Sequence, residues 1–322
     1  MSVDDKELED FMPATELNWT DGAINRMKNV PFFVRKSVVR GIEQYANDKG
    51  VDLIDDEVVS RARQEREGAA MAKARAEKQA QEQVKADDAP EKKVQRQYVN
   101  FAFYKLDPAF RRLPKEERDA AKKEFLDLLE DFDSDSNVIF LSYSMVGIRS
   151  EVDIMFWRIS YEMEAFTSMS TRMYQTKFGQ YLMQVNSYFS QTKRSMYQDM
   201  FNPEHEEDRT HIIPGKAKYL FIYPFVKTRD WYLLTQFTRQ GIMDEHIYVG
   251  NKFPSVKLNT TYSFGIDDQE FVVAFETDEP GDFVDLVMEL RETQGSKYVE
   301  NDIPIYTCIA MSLEDTINSL GC

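Results

Sequence analysis

From residue 98 to residue 311 the chain runs through one order of elements twice, and that repetition narrows the fold more than any single motif does. The first pass opens on YVNFAFYKL (98–106), which reads as a strand, and continues into PKEERDAAKKEFLDLLEDF (114–132), which reads as a helix. Two apolar strands follow over 137–147 and 151–160, then a helix over 162–182 and a short closing strand near Tyr188 or Ser195. The second pass gives a strand over 219–227, a helix over 231–246, strands over 258–266 and 270–278, a helix over 280–294 and a strand over 303–311. Each pass is β-α-β-β-α-β, a ferredoxin-like unit. NVIFLSYSMV and EFVVAFETD are too apolar to face water fully, so the two sheets are expected to pack together. The expected fold class is α+β: two tandem ferredoxin-like units forming one α/β barrel over 98–322.

The first third of the chain is organised differently. Residues 1–16 read as disordered. Residues 17–65 read as a small three-helix domain: Thr20-Asp21 is a capping signal, Val34, Val38, Ile42 and Tyr45 recur at helical spacing, and Gly50 is a stop signal. DDEVVSRARQE begins the third helix on two acids. Over 66–97 the composition shifts to Ala, Glu, Gln, Lys and Arg with almost no large apolar residue. Such a polar helix has no face to bury and is expected to be a solvated, partly helical linker.

Charge limits the partners. A net charge of −16 argues against wrapping nucleic acid or docking on an anionic membrane, both of which need a basic footprint. An anionic substrate would need a local basic pocket. Two cysteines, Cys308 and Cys322, without a CxxC suggest no disulfide framework or zinc site, and a reducing compartment. MSVDDKELED lacks the apolar core of a signal peptide, and no window reaches the ~18 apolar residues of a membrane span. The expected location is cytoplasmic.

Chemistry-bearing residues concentrate in 219–250. His205 and His211 lie in a charged run ended by Pro214-Gly215, an expected loop. His246 alone sits on a predicted helix, one turn after Ile242 and Met243, and so on their apolar face. An imidazole there is either a satisfied core histidine or an axial ligand for a metal or haem. Tyr223 and Lys227, four apart on a predicted strand, share one face. They are either core groups with wet tips or an oxidisable phenol beside a cation. Arg291 either binds a carboxylate or offsets a helix dipole. Asp267-Asp268 reads as a turn.

YPFVKTRDWY, MDEH with Gly250 four residues on, SFGIDDQEFVVAFE, LRETQGSKY and DIPIYT together resemble the chlorite dismutase and coproheme decarboxylase family, in order and spacing, over roughly residues 97–320. The resemblance implies the same duplicated fold, a ring homopentamer, and haem or iron coproporphyrin as the bound group, with His246 as its proximal ligand. It implies that Tyr223 becomes a radical when peroxide oxidises the iron, with Lys227 beside it. Arg291 and Ser296 match positions that hold a propionate, and Arg209 matches a further propionate-binding arginine. Chlorite-splitting members carry an arginine on the distal strand. This chain has none between Arg239 and Arg291, and Asn259 is the residue expected to face the iron, so chlorite dismutation is disfavoured. The implied activity is peroxide-dependent oxidative decarboxylation of iron coproporphyrin to haem b. The alternatives are a haem-binding protein without that chemistry (a peroxidase, sensor or carrier) and an interaction protein of the tetrapyrrole pathway. Trp19-Thr20, Val30–Arg35, Glu43–Ala46 and Asp56–Val58 resemble the small helical domain of light-independent protochlorophyllide reductase. That likeness implies a tetrapyrrole-enzyme partner through 17–65; a bare protein-interaction module is the other reading.

Overall fold

The computed structural model of the chain describes residues 15–30, 32–65, 95–133, 138–197 and 211–322. The expected disorder over 1–16 and the linker over 66–97 fall almost wholly outside them. The chain divides into two compact units, Met1–Lys92 and Lys93–Cys322.

The first unit has helices α1 (Asp21–Met27) and α2 (Phe32–Lys49) and a helical segment α3 over 56–65. Thr20 caps α1, its hydroxyl accepting from Ala23 N. The sequence reading lacked one feature: a two-stranded parallel pair, β1 (Asn18–Trp19) with β2 (Leu53–Ile54). Buried Glu43 explains how so short a strand is held. Its carboxylate accepts from Glu16 N, Leu17 N and Trp19 Nε1 at 2.9–3.3 Å. A pack of Ala23, Met27, Val39, Ile42, Ala46, Ile54, Val59 and Ala62 forms the unit's own core.

The second unit contains both ferredoxin-like passes. The first is β3 (Tyr98–Leu106), α4 (Lys115–Asp133), β4 (Val138–Ser144), β5 (Ile154–Ser160), α5 (Glu164–Gln175) and β6 (Leu182–Gln191). The second is β7 (Tyr219–Lys227), α6 (Arg229–Leu233), α7 (Gln236–Gly250), β8 (Lys257–Tyr262), β9 (Phe271–Thr277), α8 (Pro280–Glu292), β10 (Val299–Asn301) and β11 (Tyr306–Met311), followed by α9 (Leu313–Asn318). Strand orders β4-β5-β3-β6 and β11-β7-β9-β8 repeat one topology. The two sheets meet at β11–β4 and β6–β8, which closes eight antiparallel strands into a barrel. β10 lies along the end of β7.

Alternation along the strands sorts side chains into two layers. Val99, Phe101, Phe103, Trp157, Leu220, Ile222, Val272 and Ala274 point into the barrel. On the outer face of the first half, Ala102, Tyr104, Phe156 and Ile154 meet Phe125, Leu129, Met169 and Met173 of α4 and α5. On the outer face of the second, Phe221, Tyr223, Val273 and Phe275 meet Val249, Phe283 and Leu286.

Two elements differ from the sequence reading. The helix expected over 162–182 stops at Gln175. Thr176 donates its hydroxyl to Met173 O and accepts from Gly179 N, and a Cβ at Gly179 would lie 1.8 Å from Met173 O. The chain turns there, and β6 begins at Leu182 as a ten-residue strand rather than a short one. The helix expected over 231–246 is two helices. Leu234 is extended and Thr235 starts α7 as its N-cap, accepting from Thr238 N at 3.2 Å.

Candidate functional site

The candidate site lies on the outer face of the second half, where β7, α7, the end of α8 and the turn Gln294–Tyr298 converge. Odd-numbered residues of β7 point outward, so Phe221, Tyr223 and Phe225 share this face with Lys227. Tyr223 is 9% exposed, and its ring stacks on Phe275 at 5.9 Å. Burial raises its pKa, the carboxylate of Asp302 adds to that, and Arg291 opposes it. The phenol therefore stays protonated across the physiological range.

Lys227 closes the end of the strand. Its Nζ donates to Gly295 O at 3.2 Å and stands 4.6 Å over the Trp231 ring and 5.1 Å over Phe225. Burial pulls its pKa down to about 8, against the pull of Glu270. Glu270 Oε2 accepts from Lys227 N at 2.8 Å and from the Tyr232 hydroxyl, and Arg229 stands 3.8 Å from Oε1. A buried ammonium beside a carboxylate tied elsewhere can titrate near neutrality.

Arg291 ends the last turn of α8 and pairs with Asp302 in the segment between β10 and β11. Ser296 sits in the turn beside it and donates to Thr293 O at 2.8 Å. The same turn is tied to α7: Gln294 N donates to Glu245 Oε2 at 2.8 Å, and the Cβ position of Gly295 is 3.6 Å from Ile242 Cγ2. Ile242 therefore points at the turn. Val249, seven residues on, is buried in the outer cluster. His246 lies between them on the same helical stripe, and so on the inward side of α7. Ile242 through Tyr248 are all half-buried, whereas Met169 and Met173 on the corresponding stripe of α5 are fully buried.

The structure thus brings Tyr223, Lys227, His246, Arg291 and Ser296 to one face of the second half. Arg209 lies outside the described residues. Asn259 requires a correction. It pairs with Ala274, and its amide donates to Glu276 Oε1 at 2.8 Å, on the barrel's interior side. On β8 the outer face carries Leu258, opposite Phe275, and Thr260, opposite Val273. The expectation was one residue out of register, and on a strand that reverses the face. Leu258, which packs into the outer cluster, carried the alternation that identifies Thr260. Sequence reasoning also passed over Glu270, Asp302 and Glu245. Each is one acid among 56 Asp and Glu, and nothing local marks it out. Asp267 and Asp268 lie between β8 and β9, where Asp267 accepts from Phe189 N at 2.6 Å and Gln269 Nε2 at 2.8 Å.

These residues suit a porphyrin iron. One imidazole is a complete protein-side ligand set for such a metal. Aromatic rings on β7 and β9 offer a flat apolar wall, and Arg291, Lys227 and Ser296 supply donors for carboxylates at its edge. Arg291 is held by Asp302 in this structure, so a carboxylate ligand would share it or exchange with that acid.

Residues 118–311 match the chlorite dismutase family model, and residues 19–63 match the model described as proto-chlorophyllide reductase 57 kD subunit. The chain is 28% identical over 184 residues to the coproheme decarboxylase of Mycolicibacterium smegmatis, covering 55% of this chain and 75% of the relative. It is 29% identical over 209 residues to that of Staphylococcus carnosus, covering 60% and 83%. Among solved structures, a chlorite dismutase variant from Candidatus Nitrospira defluvii superposes with a TM-score of 0.64 at 23% identity, covering 70% of this chain and 95% of that one. A haem-binding protein from Thermus thermophilus gives 0.61 at 24%, with the same coverage. At such identities the structural likeness speaks for the fold alone.

Proposed function

The chain belongs to the chlorite dismutase family, and from that premise we propose that it decarboxylates iron coproporphyrin to haem b with hydrogen peroxide. The observation that carries this is the pairing of Tyr223 and Lys227 on one outward stripe of β7, beside the Arg291–Ser296 rim and the inward stripe of α7 that holds His246. The two coproheme decarboxylases above support the reading.

Bound there, iron coproporphyrin supplies the peroxide-driven oxidation. In each turnover a propionate loses CO2, a proton and two electrons to become a vinyl group, and the electrons reduce one peroxide to water. His246 holds the iron. Arg291 and Ser296 hold a carboxylate at the rim, and Arg209 is assigned to another. Tyr223 is the group that gives up and then retakes a hydrogen atom, and its buried, protonated phenol suits that role. Lys227 places a positive charge on the same face and can pass a proton. Near-contact geometry is required for hydrogen transfer, which is why the rim donors must fix the propionate. Chlorite is a poor fit, because Thr260 faces the site where an oxyanion would need a cation.

The test is to add iron coproporphyrin and peroxide and follow tri- and di-propionate products by mass. Tyr223→Phe keeps the ring and removes only the hydroxyl. It is expected to fold, bind the porphyrin and form no product. A variant that decarboxylates at the wild-type rate would falsify the role of Tyr223.

The proposal extends to assembly as a ring of five copies and to a cytoplasmic location. No described helix is long and apolar enough to cross a membrane. For the first unit, the match over 19–63 favours docking to another tetrapyrrole enzyme.

A further inference from the structure

The first half carries a buried cation that the proposed chemistry does not use. Arg158 is 3% exposed on the outward stripe of β5, in register with Asn100 on β3. Its Nε and Nη2 donate to Asn100 Oδ1, at 3.1 and 2.5 Å, and Nη1 donates to Ser170 Oγ at 2.8 Å. The Phe166 ring lies 5.7 Å from its Cζ. Every one of these partners is neutral. Among the described residues no carboxylate pairs with Arg158, and the ionisable groups that bear on it are Tyr104 and Tyr174.

A guanidinium has five N–H donors. Three are used here, which leaves two. Taking the charge out of water without a counter-charge is costly, and three neutral contacts do not offset it. Tyr104, on the same face of β3, makes a second, independent observation. It is fully buried, and its hydroxyl has no hydrogen-bond partner of normal geometry, although the hydroxyls of Tyr174 and Ser170 and the Arg158 guanidinium lie near it. Burial pushes its pKa up to about 12, so it remains a donor. Two unused guanidinium donors and a phenol without a hydrogen-bond partner thus lie close together under α5.

We infer that Arg158 and Tyr104, with Ser170 at the rim, form a binding site for a halide-sized monovalent anion. One uncompensated charge calls for one negative charge. The Phe166 ring lies 5.7 Å from the guanidinium carbon and Phe156 lies 5.4 Å from the Tyr104 ring, so the ion must be small. With Arg158 almost wholly buried, a side chain from another protein cannot reach it, whereas a free ion can pass Ser170, which is half-buried, and Tyr174, which is 39% exposed. The inference does not depend on the haem reading, since the site lies on the outer face of the first half.

The experiment uses the full chain and bromide as probe. Thermal unfolding is followed at constant ionic strength as bromide replaces methanesulfonate. The wild-type midpoint is expected to rise and saturate, while Arg158→Met shows no bromide dependence. Where that variant fails to fold, anomalous scattering from bromide-soaked wild-type crystals decides. A peak against the Arg158 guanidinium and the Tyr104 hydroxyl supports the site. A crystal without that peak, a wild-type midpoint indifferent to bromide, or the same response in Arg158→Met overturns it.

Discussion

The two halves of the barrel open on strands of equal length, YVNFAFYKL and YLFIYPFVK, and pack them the same way. Aligned from their first residues, the outward positions are Tyr98, Asn100, Ala102, Tyr104 and Leu106 against Tyr219, Phe221, Tyr223, Phe225 and Lys227. Where the second half presents the phenol of Tyr223, the first has the methyl group of Ala102. Where the second ends on an ammonium, the first ends on Leu106. Around Ala102, the rings of Phe110, Phe125, Phe156 and Phe178 are fully buried. Around Tyr223, Phe221, Val273 and Phe275 are 6–9% exposed. The same backbone pattern gives a fully sealed core in one half and a less completely sealed one in the other. The difference lies in what the outward stripe carries and how closely the covering helices settle on it.

The sharpest way to break this contrast is at α7. His246→Ala is expected to remove the Soret shift on adding iron coproporphyrin. The affinity loss should exceed the roughly 10–100-fold that loss of an outer-shell metal partner costs. An unchanged spectrum and affinity would return His246 to the status of a core histidine and leave the second half without its ligand.

A smaller effect separates the two outer layers by stability. Phe156→Ala, in the first half, is expected to cost about 3–5 kcal/mol in denaturant unfolding, as deletion of a fully buried ring does, and to leave porphyrin affinity unchanged. Phe275 stacks on Tyr223 at 5.9 Å and meets the Phe283 ring at a tilt at 5.0 Å, yet keeps 6% exposure. Phe275→Ala should cost less stability and should weaken porphyrin binding. Equal stability losses with no change in binding would mean that the second outer layer is core like the first.

The duplicated order of elements was legible because strand and helix periodicities differ and each pass carries both. The shared face of Tyr223 and Lys227 followed from strand geometry alone. Other features turned on single contacts that periodicity does not encode. The early end of α5 depends on Thr176 and on the space Gly179 leaves at Met173 O. The break before α7 depends on the Thr235 cap. Asn259 was placed by a register that LNTTY, with its run of small polar residues, specifies weakly, and one residue of slip put it on the wrong face. The acids that set the charge of the site, Glu270 and Asp302, come from the flanks of strands and are found only once β7, β9 and β10 are side by side.

The smallest expected effect concerns Lys227 and is read by pH. Charged groups approach it from β9, where Glu270 precedes the strand, and from α6, where Arg229 and the Tyr232 hydroxyl meet that carboxylate. Burial outweighs them and brings the ammonium to about 8. An unfolded lysine titrates near 10.4. Between those values the unfolded chain holds a proton that the folded chain has released, so stability rises with pH across the window and is lowest below about 8. Lys227→Met should flatten that rise, whereas Leu106→Met, at the matching end of β3, should leave it intact. The rate tests the same charge. If decarboxylation needs the ammonium, the wild-type rate falls above pH 8, by roughly tenfold per unit once the group is mostly neutral. Lys227→Arg, charged throughout, should lose that fall. A wild-type rate that stays level from pH 8 to 10 would show that Lys227 packs the end of β7 as Leu106 packs the end of β3, and that the second half differs from the first by one phenol rather than by a phenol and a cation.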